Sequence, residues 1–387
     1  VEQQKKQLAF QFVEDHRQEM LSLWQELVNT ESGSSEQAGI AMIAQKVKKV
    51  LADEGASIRL AEFEKAGNTL VGEIGVNRSK SGVIFMGHMD TVFSTGTVAT
   101  RPFTIKDGKA YGPGVLDMKG GIVAFLYAIK ALQAAGYNAR PIKVILAGDE
   151  EVGHENSNVA TCIVEEAKGY AAAFNCETGF ADDGIVVGRK GSARFTLEVH
   201  GVAAHAGNDP ENGRNAILEM AHKVIAIQGL NDNEQGTNIN VGVIQGGTVP
   251  NAVPDYAKII VDVRYTQPEI LDKLAKQIHE IAAKVCVEGT TTVVTLKPGI
   301  QAMQTTEGVK QLFSLVEKTY AENGFGTPYP KKVGGGADSA YTVIAGVPTV
   351  CAMGVKGGRN HSPEEYAIVE TLFERAKLLA ACVLNLN

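Results

Sequence analysis

Four apolar residues, Val144 to Ala147, run through a single glycine into three consecutive acids, Asp149, Glu150 and Glu151. Like charges crowded against a buried strand raise one another's cost of ionisation unless positive charge meets them. The junction therefore limits what can surround it more than any other stretch of the chain. It is also one of a set. "GVIFMGHMD", "IKVILAGDEE" and "YAAAFNCET" are short, continuously apolar runs, the pattern of strands buried on both faces of a largely parallel sheet. Between the first two lies "MKGGIVAFLYAIKALQAAG", long and periodic enough for a helix that Gly136 ends. Alternation of this kind predicts an α/β architecture with helices on both faces of the sheet.

Helical spacing also marks the opening residues (Phe12, Leu21, Trp24, Leu27) and the stretch from Ala38 to Ala52. From about Ser192 the texture changes. "ARFTLEVHG" reads as a strand, "GRNAILEMAHKVIAIQ" as a helix, "NINVGVIQGG" and "AKIIVDVRYT" as two strands, "EILDKLAKQIHEIAAKVC" as a helix and "TTVVTLK" as a strand. That order, β-α-β-β-α-β, is the ferredoxin-like arrangement of a small α+β unit. After Gln301 the α/β texture returns, with a helix near "GVKQLFSLVEKTYAENG", the apolar run "VPTVCAMG" and a final helix from Glu365. The expectation is a discontinuous, mostly parallel-sheet domain over residues 1–190 and 302–387, with a smaller domain, 191–301, inserted into it. A length of 387 residues suits two domains.

Charge narrows the partners. A formal charge of -7, spread without blocks, argues against nucleic acid and against an anionic membrane, and no apolar run approaches the ~20 residues that span a bilayer. The first twenty residues are charged throughout and contain no apolar core of a secretory signal. Five scattered cysteines without a C-x-x-C pair fit a reducing compartment. A cytoplasmic location is the resulting expectation, although a chain that starts with Val leaves room for a removed leader.

In open parallel sheets, reactive side chains gather at the carboxyl ends of the strands. His88 and Asp90 follow "VIFMG", the three acids follow "VILAG", and Glu177 follows "AAAFNC". Asp117 lies in the glycine-rich "GPGVLDMKGG" just before a helix, and His361 in "GRNHSPEEY" follows the last apolar run. Each signal is weak alone, but all five fall at one predicted edge. Together they supply two imidazoles and at least three carboxylates, a donor set that suits Zn, Co or Mn. A dinucleotide site needs G-x-G-x-x-G directly after the first strand, a spacing that "GPGVLDMKGG" lacks. Cys176, beside Glu177, reads as a small buried hydrophobe. In the smaller domain, His200 and His205 flank a strand-to-loop junction, "VPNAVP" carries Asn251, and "KIIVDVRY" carries Arg264. Taken alone, His205 reads as a hydrogen-bonded loop residue, Arg264 as a strand-end charge, and Gly334-Gly335-Gly336 as a turn.

The ordered set "GHMDTV", "AYGPGVLDMKGG", "DEEVG", "NCETG", "GVAAHAGNDPENGRNA", "GGGADSA" and "NHSPEEY" resembles the zinc-dependent metallopeptidases and deacylases of the M20 family over nearly the whole chain. It is most similar to the branch of bacterial glutamate carboxypeptidases of the folate-cleaving type. The resemblance implies a co-catalytic centre of two divalent ions, zinc foremost. His88 and Glu177 would hold one, Glu151 and His361 the other, and Asp117 would bridge them. Asp90 would orient His88. Glu150 would act as general base and acid, taking a proton from the metal-bridging water and delivering it to the leaving amine. Two ions bring about +4 against about -3 from the three ligand carboxylates, leaving about +1 to stabilise an oxyanion.

The same resemblance makes the larger domain catalytic and the inserted one a lid that carries the homodimer contact. His205 would reach the active site of the partner subunit and stabilise the oxyanion. Asn251 and Arg264 would hold the substrate's terminal carboxylate, for which a planar guanidinium is the natural partner. Gly335 and Gly336 would let substrate approach the backbone. The implied activity is a carboxypeptidase-like exopeptidase acting on peptides or N-acyl amino acids. Glu rather than Asp at position 177 resembles the carboxypeptidase, deacylase and desuccinylase branches more than the tripeptide aminopeptidases, which follow as alternatives. A catalytically inactive binding homologue is the alternative of another class, yet every expected position is filled.

Overall fold

The computed structural model describes residues 2–386. They form two compact units, the larger made of the chain up to Gly188, Thr305–Lys332 and the chain from Ala337 on, the smaller of Arg189–Gln304 and Val333–Gly336. The "VGGG" segment is thus part of the smaller unit, although it lies far from that unit's main stretch in sequence. The fold is mixed α/β, with helices and several sheets.

A six-stranded sheet forms the centre of the larger unit, in the order Ser57–Ala61, Gly67–Ile74, Ile142–Gly148, Val83–His88, Ala172–Asn175, Thr349–Val350. The last four run parallel; the first two are antiparallel to their neighbours. Every residue of Ile142–Gly148 and of Val83–His88 is buried, which is why these strands are continuously apolar rather than alternating. The helix Gly120–Ala134 is buried almost all round, so it too carries no polar stripe. Its second residue must be glycine, because a Cβ on Gly121 would lie 1.9 Å from the carbonyl oxygen of Cys176. That close approach brings the turn before the helix against the loop that carries Glu177.

The opening residues form two helices, Glu2–Asp15 and Arg17–Val28, broken at His16. The final helix is Glu370–Asn385 rather than one starting at Glu365. Residues Tyr366–Ile368 are instead a strand of a second sheet, ordered Thr104–Lys106, Lys109–Tyr111, Tyr366–Ile368, Lys356–Gly358, Gly179–Phe180. The acid that looked like a helix start is taken up by backbone donors described below. Among the described residues no helix is long and apolar enough to cross a membrane.

The smaller unit has an antiparallel sheet in the order Asn238–Gly246, Tyr256–Tyr265, Gly191–His200, Thr291–Pro298, with the helices Ala216–Gln228 and Pro268–Ala283. Burial alternates strictly along Tyr256–Tyr265, so one face carries the core: Phe195, Leu197, Val199, Ile259, Val261 and Val263 pack with Met220 and Ile278. One buried ion pair crosses this core. Lys223 Nζ lies 2.6 Å from Glu219 Oε1 and donates to the carbonyls of Ile281, Ala282 and Lys284, at the end of the second helix. The other Glu219 oxygen accepts from the backbone N–H groups of Cys286 and Val287.

Removing one member strands the other charge in the core. Glu219→Ala should destabilise the smaller unit by about 3–5 kcal/mol, seen in urea as a transition that precedes unfolding of the rest. Glu219→Leu combined with Lys223→Met should recover most of that loss.

Candidate metal centre

Parallel pairing sets three strand ends side by side, with the strand that ends at His88 between those that end at Gly148 and Asn175. His88, the turn of acids and Glu177 therefore leave the sheet at one edge. The second sheet brings the remaining candidates to the same place. Its strand Lys109–Tyr111 leads into the loop of Asp117, Gly179–Phe180 follows Glu177, and Lys356–Gly358 leads to His361.

Two imidazoles share one carboxylate. His88 Nε2 lies 3.3 Å from Asp117 Oδ1 and 3.3 Å from Glu177 Oε1. His361 Nε2 lies 3.1 Å from Asp117 Oδ2 and 3.3 Å from Glu151 Oε2. Asp117 thus offers one oxygen to each histidine. Ligand-type atoms of His88, Asp117 and Glu177 fall within 4.8 Å of one another, as do those of Asp117, Glu151 and His361. His88, Glu150 and Glu151 make a third such set, with Glu150 Oε2 3.9 Å from His88 Nε2.

Asp90 ties the turn to the histidine. Its backbone carbonyl is 2.9 Å from His88 Nδ1 and its carboxylate 3.3 Å, which leaves Nε2 facing the cluster. The same carboxylate accepts from the N–H groups of Glu150 and Glu151, each at 3.1 Å, and from Ser34 Oγ at 2.7 Å. The Asp117 loop is held from three sides. Trp24 Nε1 donates to the carbonyl of Val115 and Lys119 Nζ to that of Thr30. Glu365, fully buried, accepts from the backbone N–H groups of Gly114, Leu116 and Asp117. Asn360 Nδ2 donates to Asp117 Oδ2.

Electrostatics shows what the cluster lacks. Burial pulls the His88 pKa down, yet the carboxylates of Glu177, Glu150, Asp117 and Asp90 outweigh it and leave the imidazole raised well above its usual range. Burial drives Glu150 well above the carboxylate range despite His88, and Glu177, Asp338 and Glu151 push it further the same way. Burial likewise raises Glu151. Asp117 moves the other way, its burial overcome by hydrogen bonds from His361 and His88. Hydrogen bonds to Asp117 and Glu151 lift His361 to about 10. Burial raises Glu365 to about 7 against its three backbone donors. Without cations, protons are thus retained to keep the acids and imidazoles together. Glu151 Oε1 is buried with no hydrogen-bond partner, a costly state that a cation relieves. The residues present fit divalent ions with nitrogen and oxygen ligands.

Seven of the expected site residues, His88, Asp90, Asp117, Glu150, Glu151, Glu177 and His361, meet in the larger unit. His205, Asn251, Arg264, Gly335 and Gly336 belong to the smaller one. There His205 is exposed on the short strand Ala204–His205 beside Ala252–Val253, and Asn251, also exposed, accepts through its carbonyl from Ala206 N–H. His205 Nδ1 accepts from the N–H groups of Gly207 and Asn208, both at 3.1 Å, so the ring proton sits on Nε2. Arg264 grips Asp262 through Nε and Nη2 at 2.9 and 3.4 Å. His200 ends its strand beside the Tyr256 ring. Cys176 is fully buried, as its reading as a hydrophobe requires. Glu365 and Asn360 were not singled out from sequence; both adjoin His361 in "RNHSPEEY", the one signal that could have drawn attention to them.

Residues 84–385 match the model of Peptidase family M20/M25/M40. Carboxypeptidase G2 of Pseudomonas sp. (strain RS-16) is 30% identical over 100% of this chain and 93% of its own length. Succinyl-diaminopimelate desuccinylase of Sulfurovum sp. (strain NBC37-1) is 28% identical over 74% of this chain and 78% of its own. Among solved structures, aminopeptidase PepT from Bacillus cereus ATCC 10987 superposes with a TM-score of 0.83 at 23% identity, covering 95% of this chain and 98% of that one.

Coordination by His361 requires a neutral ring, whereas a group raised to about 10 carries its proton at neutral pH. Ion binding near pH 7.5 should therefore release protons and tighten as pH rises, and His361→Ala should release about one proton fewer. Calorimetry in two buffers of different ionisation enthalpy measures the number. Equal release by both proteins would exclude His361 as a ligand.

Proposed function

We propose, for a chain that belongs to peptidase family M20/M25/M40 and is a metallopeptidase hydrolysing amide bonds, a carboxypeptidase-like exopeptidase activity on peptides or N-acyl amino acids with a free carboxylate. The observation that carries the reading is the pair of three-residue ligand sets joined at Asp117, with Glu150 beside them. His88, Asp117 and Glu177 would hold one divalent ion and Asp117, Glu151 and His361 a second, zinc being the first choice for this donor set. Bound there, the ions supply Lewis acidity and positive charge to polarise an amide carbonyl and acidify a water.

The remaining steps fall to side chains. With divalent charge beside it, the buried Glu150 would be a carboxylate that takes a proton from the attacking water and passes it to the leaving amine nitrogen. Asp90 keeps Glu150 and Glu151 in place through their N–H groups while steadying His88. In the smaller unit, Arg264 already holds a carboxylate in a fork, the geometry that a substrate's terminal carboxylate would take, with Asn251 as a further donor. No atom comes within 4 Å of a Cβ built on Gly334, and only Arg189 Nη1 approaches one on Gly335. At Gly335 the unit's own packing thus does not require glycine, which favours close approach of substrate to that backbone, whereas a Cβ on Gly336 would meet Ile300 Cβ at 3.0 Å, so packing accounts for the glycine there.

We read the smaller unit as a ferredoxin-like lid that also carries the homodimer contact. Its element order and the sheet order support this. So do Leu218 and Ile225, seven residues apart on one helix face and 50% and 75% exposed, and Ile244 on the edge strand, 60% exposed: an apolar helix face and an unpaired strand edge suit a second copy of the same surface. His205, its proton fixed on Nε2, is poised to donate to the oxyanion of the partner subunit's site.

A screen of free dipeptides, amino-blocked dipeptides, carboxyl-blocked dipeptides and N-acyl amino acids tests the substrate class. Hydrolysis of amino-blocked peptides that stops when the terminal carboxylate is amidated is the expected result. Preference for simple N-acyl amino acids would make the chain a deacylase, and a requirement for a free amine an aminopeptidase. A mixing experiment tests the roles. Glu150→Gln and His205→Ala should each lose at least about a thousandfold in turnover, and mixed, reassorted dimers should regain up to about a quarter of wild-type activity. No recovery would confine the oxyanion donor to one chain.

A further inference from the structure

The turn that carries Glu150 is anchored on a second side, by residues the mechanism above does not use. His154 lies three residues past Glu151, in a left-handed backbone conformation (φ 58°), and its N–H returns to the carbonyl of Asp149 at 3.1 Å. Its side chain is 3% exposed. Nδ1 lies 2.8 Å from Asp149 Oδ1, and Nε2 lies 2.6 Å from Asp338 Oδ1. Asp338 stands at the head of the helix Ser339–Ile344, in the "GGGADSA" segment. Both ring nitrogens thus face carboxylate oxygens, and only an imidazole protonated at both nitrogens donates to both. Burial opposes that state, but the two aspartates raise the ring to about 11. The second oxygens of Asp149 and Asp338 are buried without partners, so the imidazole is the link between them.

We propose that His154 is a positioning residue: a buried imidazolium strung between Asp149 and Asp338 that fixes the Glu150–Glu151 turn through contacts separate from those of Asp90. The inference rests on the reading of Glu150 as the proton carrier. Asp90 holds the turn through the N–H groups of Glu150 and Glu151; His154 holds it through the side chain of the preceding residue and ties it to a helix 184 positions away in sequence. With both anchors in place, the turn cannot pivot about its N–H bonds, and the Glu150 carboxylate keeps one position relative to His88. The clamp gives Asp149, the one acid of the three without a place in the proton path, its function. Its contacts are with the turn that carries Glu150, so it acts on a step rather than on substrate binding.

The test compares His154→Asn, Asp338→Asn and the double variant in the metal-loaded protein, with Glu150→Gln as reference. His154→Asn leaves two buried carboxylates with one amide between them. It should lower kcat at least about tenfold, with KM within about twofold and tightly bound metal, read by atomic emission, equal to wild type. Adding Asp338→Asn removes one of the stranded charges and should restore part of kcat, which a general loss of stability would not do. If His154→Asn does not fold, Asp338→Asn alone carries the test, since it keeps the volume and both ring contacts but removes one charge, and it should lower kcat with KM unchanged. Wild-type kcat in the folded variant, or a loss that follows metal content or KM instead, overturns the clamp while leaving Glu150 as proton carrier. Full activity of Glu150→Gln would instead overturn the reading of Glu150 on which the clamp depends.

Discussion

Carboxylates crowded at one sheet edge are the constraint on which the larger unit depends. Glu150, Glu151, Glu177, Asp117 and Asp90 converge on the buried His88 and the half-exposed His361, and repulsion among these largely buried acids is relieved only by protons or cations. Much of the surrounding structure reads as what keeps that arrangement from springing apart. Asp90 pins one turn, Glu365 pins the loop of Asp117, and Gly121 lets the helix after that loop press against the carbonyl beside Glu177. Buried donor networks of this kind rigidify a site when each member is satisfied. At this edge Glu151 Oε1 has no hydrogen-bond partner, and its residue faces His361.

The strand ends were legible because buried parallel strands have an unmistakable composition, and a charge at the end of such a run has few explanations. His88, the acid turn and Glu177 could be placed at one edge from that alone. Asp117 and His361 sit on loops, and only the ordered motifs joined them to the rest. What sequence could not supply was the use of each oxygen: that Asp117 turns one to each histidine depends on a loop whose conformation is set by Trp24, Thr30 and Glu365. Glu365 itself was misread. An acid before a periodic apolar stretch is a common helix start, and its true partners lie about 250 residues away in sequence, at separations of 248 to 251. Asp149, the acid of the three with no chemical role legible in the sequence, pairs with His154 five residues on.

The smaller unit was easier to read for fold and harder for function. Alternating burial along its strands is a local signal, so the element order followed directly. Which of its polar residues matter is not local. His205 and Arg264 have ordinary surroundings, a loop and a strand facing Asp262, so nothing in their contacts singles them out.

The grip of Glu365 on the Asp117 loop bears on how the enzyme comes into being. The loop is made early in synthesis, while the carboxylate that shapes it and the histidine that shares Asp117 both lie in the last stretch of the chain. Domains fold as the chain emerges, N-terminal parts first, yet this centre cannot be completed until residues 361–365 are free to fold onto it. A nascent chain that stops short of residue 361 would hold four of the five candidate ligands, His88, Asp117, Glu151 and Glu177, without His361 and without the carboxylate that shapes the Asp117 loop. Such a centre has no competent form until two segments about 250 residues apart, the Asp117 loop and the stretch from His361 to Glu365, have folded against each other.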